Sequence, residues 1–275
     1  ISNIYDLNLQ SLHEKFIKNY SFNHLVIDNS INKDLLRKAK NEVLKIPIEK
    51  FDKANVIGSD SISVNKYYLQ DLSNNIKEIR DYFNSETFLK WLEKLTNIKN
   101  LKSDNTNHGG GIHLIKKGGY LNVHQDFTKH SKYNLYRVIN ILIYFNDNYK
   151  EDYNGKLELW NTDMTKCEKS IEPIFNRMII FRTDTNSNHG HPIPWNSNED
   201  RLSLALYYYV DYPINKLTKE TTSATWKNPI LNGNNYFNRH TILNNYINKY
   251  NKLSYLEIGV ENGFTFNKIN IENKL

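Results

Sequence analysis

The sequence holds a single cysteine, Cys167. One thiol cannot form an intrachain disulfide framework, nor a zinc or iron–sulfur site of the cysteine type. It fits a reducing compartment, so a cytoplasmic location is expected. No apolar run approaches the ~18 residues that a membrane-spanning helix needs. The longest, residues 138–145, is interrupted by Asn140 and has the length of a strand. The opening residues ISNIYDLNLQ lack the basic head and apolar stretch of a signal peptide, and the first residue is Ile1, so the gene's start is expected upstream. A basic block or aromatic–basic stripe is also missing. The net charge of +6 and the pI of about 9.0 come from dispersed lysines. That pattern reads as a solvated surface, and neither nucleic acid nor membrane is expected as a partner. No internal repeat stands out.

What is present suffices for a buried core. Of 275 residues, 39% are hydrophobic and 13% aromatic, which as a prior means one large domain or two small ones. Residues 22–28 read as a short strand. Asn32 can cap a helix over 33–45, with Leu36, Ala39 and Val43 on one face and Pro47 beyond its end. Residues 73–83 and 85–95 read as two more helices, the second with Phe88, Leu92 and Leu95 at core spacing. Residues 1–105 are therefore expected to form a mostly helical support with the first strands. Near His108 the text changes to short strands, 112–115, 120–124, 138–145, 156–160, 178–181 and 202–210, separated by Gly, Asn and Asp. Strands with polar turns and no helix between them point to an antiparallel sandwich or barrel over 106–213. The remainder, 214–275, is a polar stretch, a predicted helix over 236–250 and the ending YLEIGVENGFTF.

His124 and Asp126 lie two apart at the end of a predicted strand, so both side chains share one face. His189 lies beside another strand. Two histidines and one carboxylate on one face of a β-barrel form the facial triad of non-haem ferrous enzymes, which leaves three coordination sites open. Zinc would instead favour a tetrahedral site with one open position. Arg201 heads the strand RLSLALYYYV and shares a face with Ser203. A buried arginine beside a metal needs an anionic partner, and a dicarboxylate suits bidentate pairing with its planar head.

The text around these residues resembles the 2-oxoglutarate- and Fe(II)-dependent oxygenases of the prolyl 4-hydroxylase-like branch. The matching pieces are GGGIHLIKKGGYLNVHQDF (109–127), RVINILIYFND (137–147), GKLELW (155–160), IEPIFNRMIIF (171–181), HGHPIP (189–194) and RLSLALYYY (201–209). They arrive in the family's order within residues 20–212. The resemblance implies a mainly β fold with flanking helices around a double-stranded β-helix, or jelly-roll, core. It implies Fe(II) held by His124, Asp126 and His189, and 2-oxoglutarate gripped at its distal carboxylate by Arg201 with Tyr144. Asn140 and Leu142 share the Tyr144 face and are candidate pocket residues, as are Ser203 and His113. His191, two residues from His189, is the competing ligand, and the first histidine of HGHP is the one the resemblance selects. The other histidines, 13, 24, 108, 130 and 240, are expected at the surface or in structural roles.

The activity implied is hydroxylation of a C–H bond by dioxygen, with release of succinate and CO2, and with ascorbate by analogy. A prolyl residue in a peptide or protein is the expected acceptor. Two alternatives stay open: the same chemistry on a free amino acid, saccharide or lipid, and a cupin-like binding domain whose metal site is spent. The tail is separate. Residues 255–266 resemble the first strand and glycine turn of a class I S-adenosylmethionine-dependent methyltransferase, with Glu257, Gly259 and Gly263. A doubly wound sheet needs on the order of 100–150 residues. No working methyltransferase is therefore expected within this chain. The tail reads as the start of a further domain of a longer oxygenase–methyltransferase polypeptide, or as a remnant.

Overall fold

The structure is a computed structural model that describes residues 2, 4–18, 23–53, 61–67, 73–106, 108–213, 220–227, 254–255 and 273–274. The side-chain oxygen of Asn8 accepts from the Ser11 amide and opens α1 (Leu9–Ile17). After β1 (His24–Asp28), Asn32 accepts from the amides of Asp34 and Leu35 and opens α2 (Lys33–Val43). Two strands follow, β2 (Asp52–Lys53) and β3 (Ser61–Tyr67). Next come α3 (Asn74–Asn84) and α4 (Glu86–Thr96), the latter capped by the Ser85 hydroxyl and ended by Asn97 at φ 56°. The rest is strand: β4 (Lys102–Ser103), β5 (Gly111–Gln125), β6 (Tyr136–Tyr144), β7 (Leu157–Trp160), β8 (Cys167–Ile171), β9 (Arg177–Arg182), β10 (Asn188–His191), β11 (Arg201–Val210) and β12 (Thr225–Trp226). No described helix is long and apolar enough to cross a membrane.

The main sheet runs β1-β9-β6-β11-β5-β10-β7-β8, antiparallel throughout, with β3 and β12 also paired to β5. β5 serves two neighbours in turn. Its first part pairs with β11, Ile115 opposite Arg201, and its last part pairs with β10, His124 opposite His189. Between them the register with β3 slips, since Ile62 faces Tyr120 while Val64 faces Ile115. That irregularity bends the strand and lets the sheet curl on itself. The strands β7 and β8 then close over β6 and β9 through an apolar cluster of Tyr144, Leu157, Leu159, Ile171, Ile179 and Phe181. The fold is a mainly β jelly roll with flanking helices. The expected strands 112–115 and 120–124 are corrected to one bent strand, because the turn between them stays within the β5 ladder. The elements α1, β3, β8 and β10 are additions to the sequence reading. The expected helix over 236–250 lies outside the described residues. So does the methyltransferase-like stretch 255–266 apart from Tyr255; Ser254–Tyr255 pair in parallel with Asn273–Lys274.

Period two sorts most of these strands into two faces. Ile139, Ile141 and Ile143 of β6, Met178 and Ile180 of β9, and Leu202, Leu204, Leu206 and Tyr208 of β11 face the helices. The intervening residues face the inside of the roll. Each large apolar side chain fully buried on the helix side contributes about 1.5–3 kcal/mol. Phe88 of α4 is fully buried, 4.7 Å from the Phe83 ring and 6.1 Å from that of Tyr208, and so joins the helices to β11. We expect Phe88→Ala to lower unfolding free energy by about 3–5 kcal/mol, read as a shifted denaturation midpoint at constant m-value.

Candidate metal centre

The antiparallel pairing of β10 with β5 sets His189 directly across from His124, with ring centroids 4.6 Å apart. Gly190 allows that approach, since a Cβ there would sit 2.7 Å from the Asn122 carbonyl oxygen. Each ring is oriented from behind. Nδ1 of His124 lies 2.9 Å from the Asn122 carbonyl, and Nδ1 of His189 lies 2.9 Å from the Ser187 carbonyl. A carbonyl only accepts, so Nδ1 carries the hydrogen and the neutral ring is left with a bare lone pair on Nε2. Burial drives His124 toward that neutral form, lowering its pKa against the pull of Asp126. Both Nε2 atoms face the Asp126 carboxylate, at 3.6 Å for His124 and 3.3 Å for His189. One donor atom from each of the three residues lies within 4.8 Å of the others. Two lone pairs and a carboxylate aimed at one another repel unless a cation lies between them. The donor set fits a divalent metal, and two imidazoles with one carboxylate suit iron.

Asp126 is held from outside the triad. Asn140 Nδ2 donates to Asp126 Oδ2 at 2.7 Å, and Arg137 Nη2 lies 3.0 Å from the same oxygen. Arg137 Nε donates to Asn140 Oδ1 at 2.7 Å, so the three side chains close a ring of contacts. The Arg137 guanidinium also lies 3.3 Å from the Tyr207 ring centroid and 4.6 Å from that of Phe127. Burial alone would raise the Asp126 carboxyl pKa. The positive charge of Arg137 beside it outweighs burial and holds the carboxyl well below its usual range. Sequence reasoning missed Arg137 because strict alternation puts it on the face opposite Asn140. A bulge supplies the extra residue: Tyr208 faces Ile139, but Tyr209 faces Arg137. Trp226 was missed as well. It pairs with His124 through β12, and their rings lie 5.1 Å apart.

The other end of the cavity is cationic. Arg201 is buried, its Nε donating to the Gly155 carbonyl at 2.9 Å and its Nη2 to the Tyr144 hydroxyl at 3.4 Å. Both partners are neutral, and no described carboxylate lies within ion-pair distance of it. Gly155 has φ 63°, and a Cβ there would meet Trp195 at 2.8 Å and the Arg201 side chain at 3.1 Å. Ser203 and His113 are opposite one another in register and face the same cavity, though Ser203 makes no direct hydrogen bond to Arg201. His191 also lines it. Its Nδ1 is buried with no partner, and burial beside Arg201 pushes its pKa down. It stands outside the three-residue donor cluster. Lys116 is engaged at the surface by Asp200 at 2.6 Å. The cavity encloses about 570 Å³ including its open mouth, with Leu142, Leu157 and Phe181 as apolar wall. Lys66 of β3, absent from the sequence reading, projects into it and donates to the Gly109 carbonyl at 3.2 Å. Cys167 lies apart from this site, and burial raises its thiol pKa to about 12, which removes it from nucleophilic chemistry at neutral pH.

Residues 93–209 match the family model described as the 2OG-Fe(II) oxygenase superfamily. Over this segment the chain is similar to the 2OG-Fe(II) oxygenases. The solved structures agree on the fold. A prolyl-4-hydroxylase from Pseudomonas putida has a TM-score of 0.52 at 13% identity, over 74% of this chain and 98% of that one. A prolyl hydroxylase from Trichoplax adhaerens, in complex with a hypoxia inducible factor peptide fragment, has a TM-score of 0.54 at 15% identity, over 76% and 94%. An oxidoreductase of the 2OG-Fe(II) oxygenase family from Burkholderia pseudomallei has a TM-score of 0.51 at 9% identity, over 74% and 92%. No curated protein shows significant sequence similarity to the chain.

The three-residue donor set makes a metal-binding prediction that needs no turnover. Calorimetric titration with Mn(II) should show one site, weakened by more than about tenfold in Asp126→Ala. Asn140→Ala removes only a hydrogen bond to the ligand and should cost less than Asp126→Ala. Equal affinity of Asp126→Ala and the parent would refute the assignment.

Proposed function

We propose that this oxygenase is a prolyl 4-hydroxylase-like dioxygenase. It would convert 2-oxoglutarate, dioxygen and a substrate C–H to succinate, CO2 and the corresponding alcohol, the acceptor being a prolyl residue in a peptide or protein. The observation that carries the reading is the joint presence, in one cavity, of the His124–Asp126–His189 donor set and a buried Arg201 that lacks an acidic partner. The prolyl acceptor is supported by the motif text quoted above, and by fold neighbours that are prolyl hydroxylases, one of them bound to a peptide. Ascorbate enters only through the resemblance.

In this reading His124, Asp126 and His189 hold Fe(II), which when bound supplies the redox chemistry linking decarboxylation to C–H oxidation. Arg201 binds the distal carboxylate of 2-oxoglutarate, and the Tyr144 hydroxyl adds a second hydrogen bond to it. Burial raises the Tyr144 pKa, keeping the phenol protonated as a donor. Gly155 and Trp195 fix where the Arg201 head sits. Leu142, Leu157 and Phe181 keep water from the reacting end, which strengthens each polar contact. Arg137 and Asn140 hold the Asp126 carboxylate ionised and in one orientation. His191 offers its unpartnered Nδ1 to the co-substrate side and does not ligate iron.

Incubation with Fe(II), 2-oxoglutarate, ascorbate and prolyl peptides should produce succinate and a mass gain of one oxygen on proline. Stimulation by a sugar, lipid or free amino acid, and by no peptide, would move the acceptor to that class. Arg201→Ala removes a charge-assisted pair worth about 2–5 kcal/mol in a dry pocket, so the 2-oxoglutarate KM should rise about tenfold or more. His189→Ala should abolish metal binding, whereas His191→Ala should retain it; the reverse result would exchange their roles.

A further inference from the structure

Four charged side chains line the cavity: Lys66, Asp126, Arg137 and Arg201. Asp126 is matched by Arg137. Arg201 and Lys66 remain, each with only neutral partners among the described residues. The proposed function gives Arg201 the distal carboxylate of 2-oxoglutarate. Lys66 is left over, an ammonium whose hydrogen-bond acceptor among the described residues is the neutral Gly109 carbonyl.

Position decides what it serves. Lys66 Nζ and the Tyr207 hydroxyl both donate to the Gly109 carbonyl, at 3.2 and 2.8 Å. Tyr207 stacks on Arg137, on the Asp126 side of the metal centre. Arg201 and Tyr207 stand on one face of β11 six residues apart, which at about 3.3 Å per residue separates their backbones by about 20 Å. A five-carbon dicarboxylate held by Arg201 does not span that distance. The Lys66 ammonium thus lies at the opposite pole of the cavity from the co-substrate anchor.

We propose that Lys66 binds a carboxylate of the acceptor substrate, so that the oxygenase selects acceptors carrying a negative charge next to the carbon that is oxidised. This rests on the proposed function for the assignment of Arg201. An ammonium desolvated in this way gains more from a carboxylate than from a carbonyl, and a charge-assisted hydrogen bond is about twice as strong as a neutral one. The carboxylate can come from an aspartyl or glutamyl side chain beside the reacting residue or from a free C-terminus.

Binding tests this directly. The protein loaded with Mn(II) and 2-oxoglutarate, without oxygen, is titrated calorimetrically with three probes. They are N-acetyl-Ala-Pro-Glu-amide, N-acetyl-Ala-Pro-Gln-amide and N-acetyl-Ala-Pro with a free carboxyl terminus. We expect at least one carboxylate probe to bind about tenfold or more tightly than the Gln peptide, and which one does so identifies the source of the charge. Lys66→Met should erase the preference and Lys66→Arg should keep most of it. No preference in the parent, the same preference in Lys66→Met, or no binding of either carboxylate probe overturns the proposal. So does a tenfold loss of 2-oxoglutarate affinity in Lys66→Met, which would assign the lysine to the co-substrate. The prolyl reading fails separately: N-acetyl-Ala-Ala-Glu-amide binding as tightly as the prolyl peptide, with no oxygen gained on proline, would sink it and leave the Lys66 subsite standing.

Discussion

Asp126 keeps a negative charge in a largely buried position, and the surrounding residues are arranged around that fact. An unpaired carboxylate there would take up a proton and lose its value as a metal ligand. Arg137 and Asn140 prevent this by contacting the same Oδ2 at 3.0 and 2.7 Å. Arg137 in turn is immobilised between the Phe127 and Tyr207 rings, and Tyr207 is tied to the Gly109 backbone. The two imidazoles meet the carboxylate with their Nε2 atoms because backbone carbonyls hold their other nitrogens. Removing any of these supports leaves a charge or a lone pair without a partner in low dielectric.

Excess positive charge gives the cavity its second character. Arg201 at one pole and Lys66 at the other lie inside walls of Leu142, Leu157 and Phe181. Two largely buried cations with only neutral hydrogen-bond partners cost stability, and an anionic ligand offsets that cost. In the proposed function the same arrangement divides labour between a co-substrate at Arg201 and an acceptor that must present one C–H bond. The proposed enzyme class rests on the family-model match over residues 93–209 and on the donor set; the acceptor's identity is a question of what lies around Lys66 and Tyr207, and fold likeness at 9–15% identity does not answer it.

The scaffold that holds these poles apart is simple in its logic. Helices α1 to α4 cover the outer face of β6, β9 and β11, and the inner face is free to carry polar chemistry. Because β11 is buried on both faces, residues 201–210 read as nearly continuous hydrophobic text, with Arg201 and Ser203 as the exceptions. Those exceptions are functional candidates for that reason: in a strand with no solvent face, a charged residue persists only where a ligand answers it.

Read alone, the sequence determined what local geometry can determine. The helix cap at Asn32, the inward parity of Asn140, Leu142 and Tyr144, and the two-residue step from His124 to Asp126 all follow from local residue chemistry and backbone periods of 3.6 and 2.0. The motif order extended this to His189 and Arg201. Elements without an apolar rhythm stayed hidden. β8 (CEKSI) is a partly exposed edge strand, and β10 (NHGH) is held by its neighbours on both sides. Only the tertiary structure brought in Arg137, Lys66 and Trp226. Arg137 reaches the cavity through a bulge that reverses its parity, Lys66 arrives on β3 from another part of the chain, and Trp226 returns to His124 after the last long strand. Their roles come from charge and contact across distant segments. Burial makes such contacts strong, and burial is a property of the folded whole, which no spacing along the chain encodes.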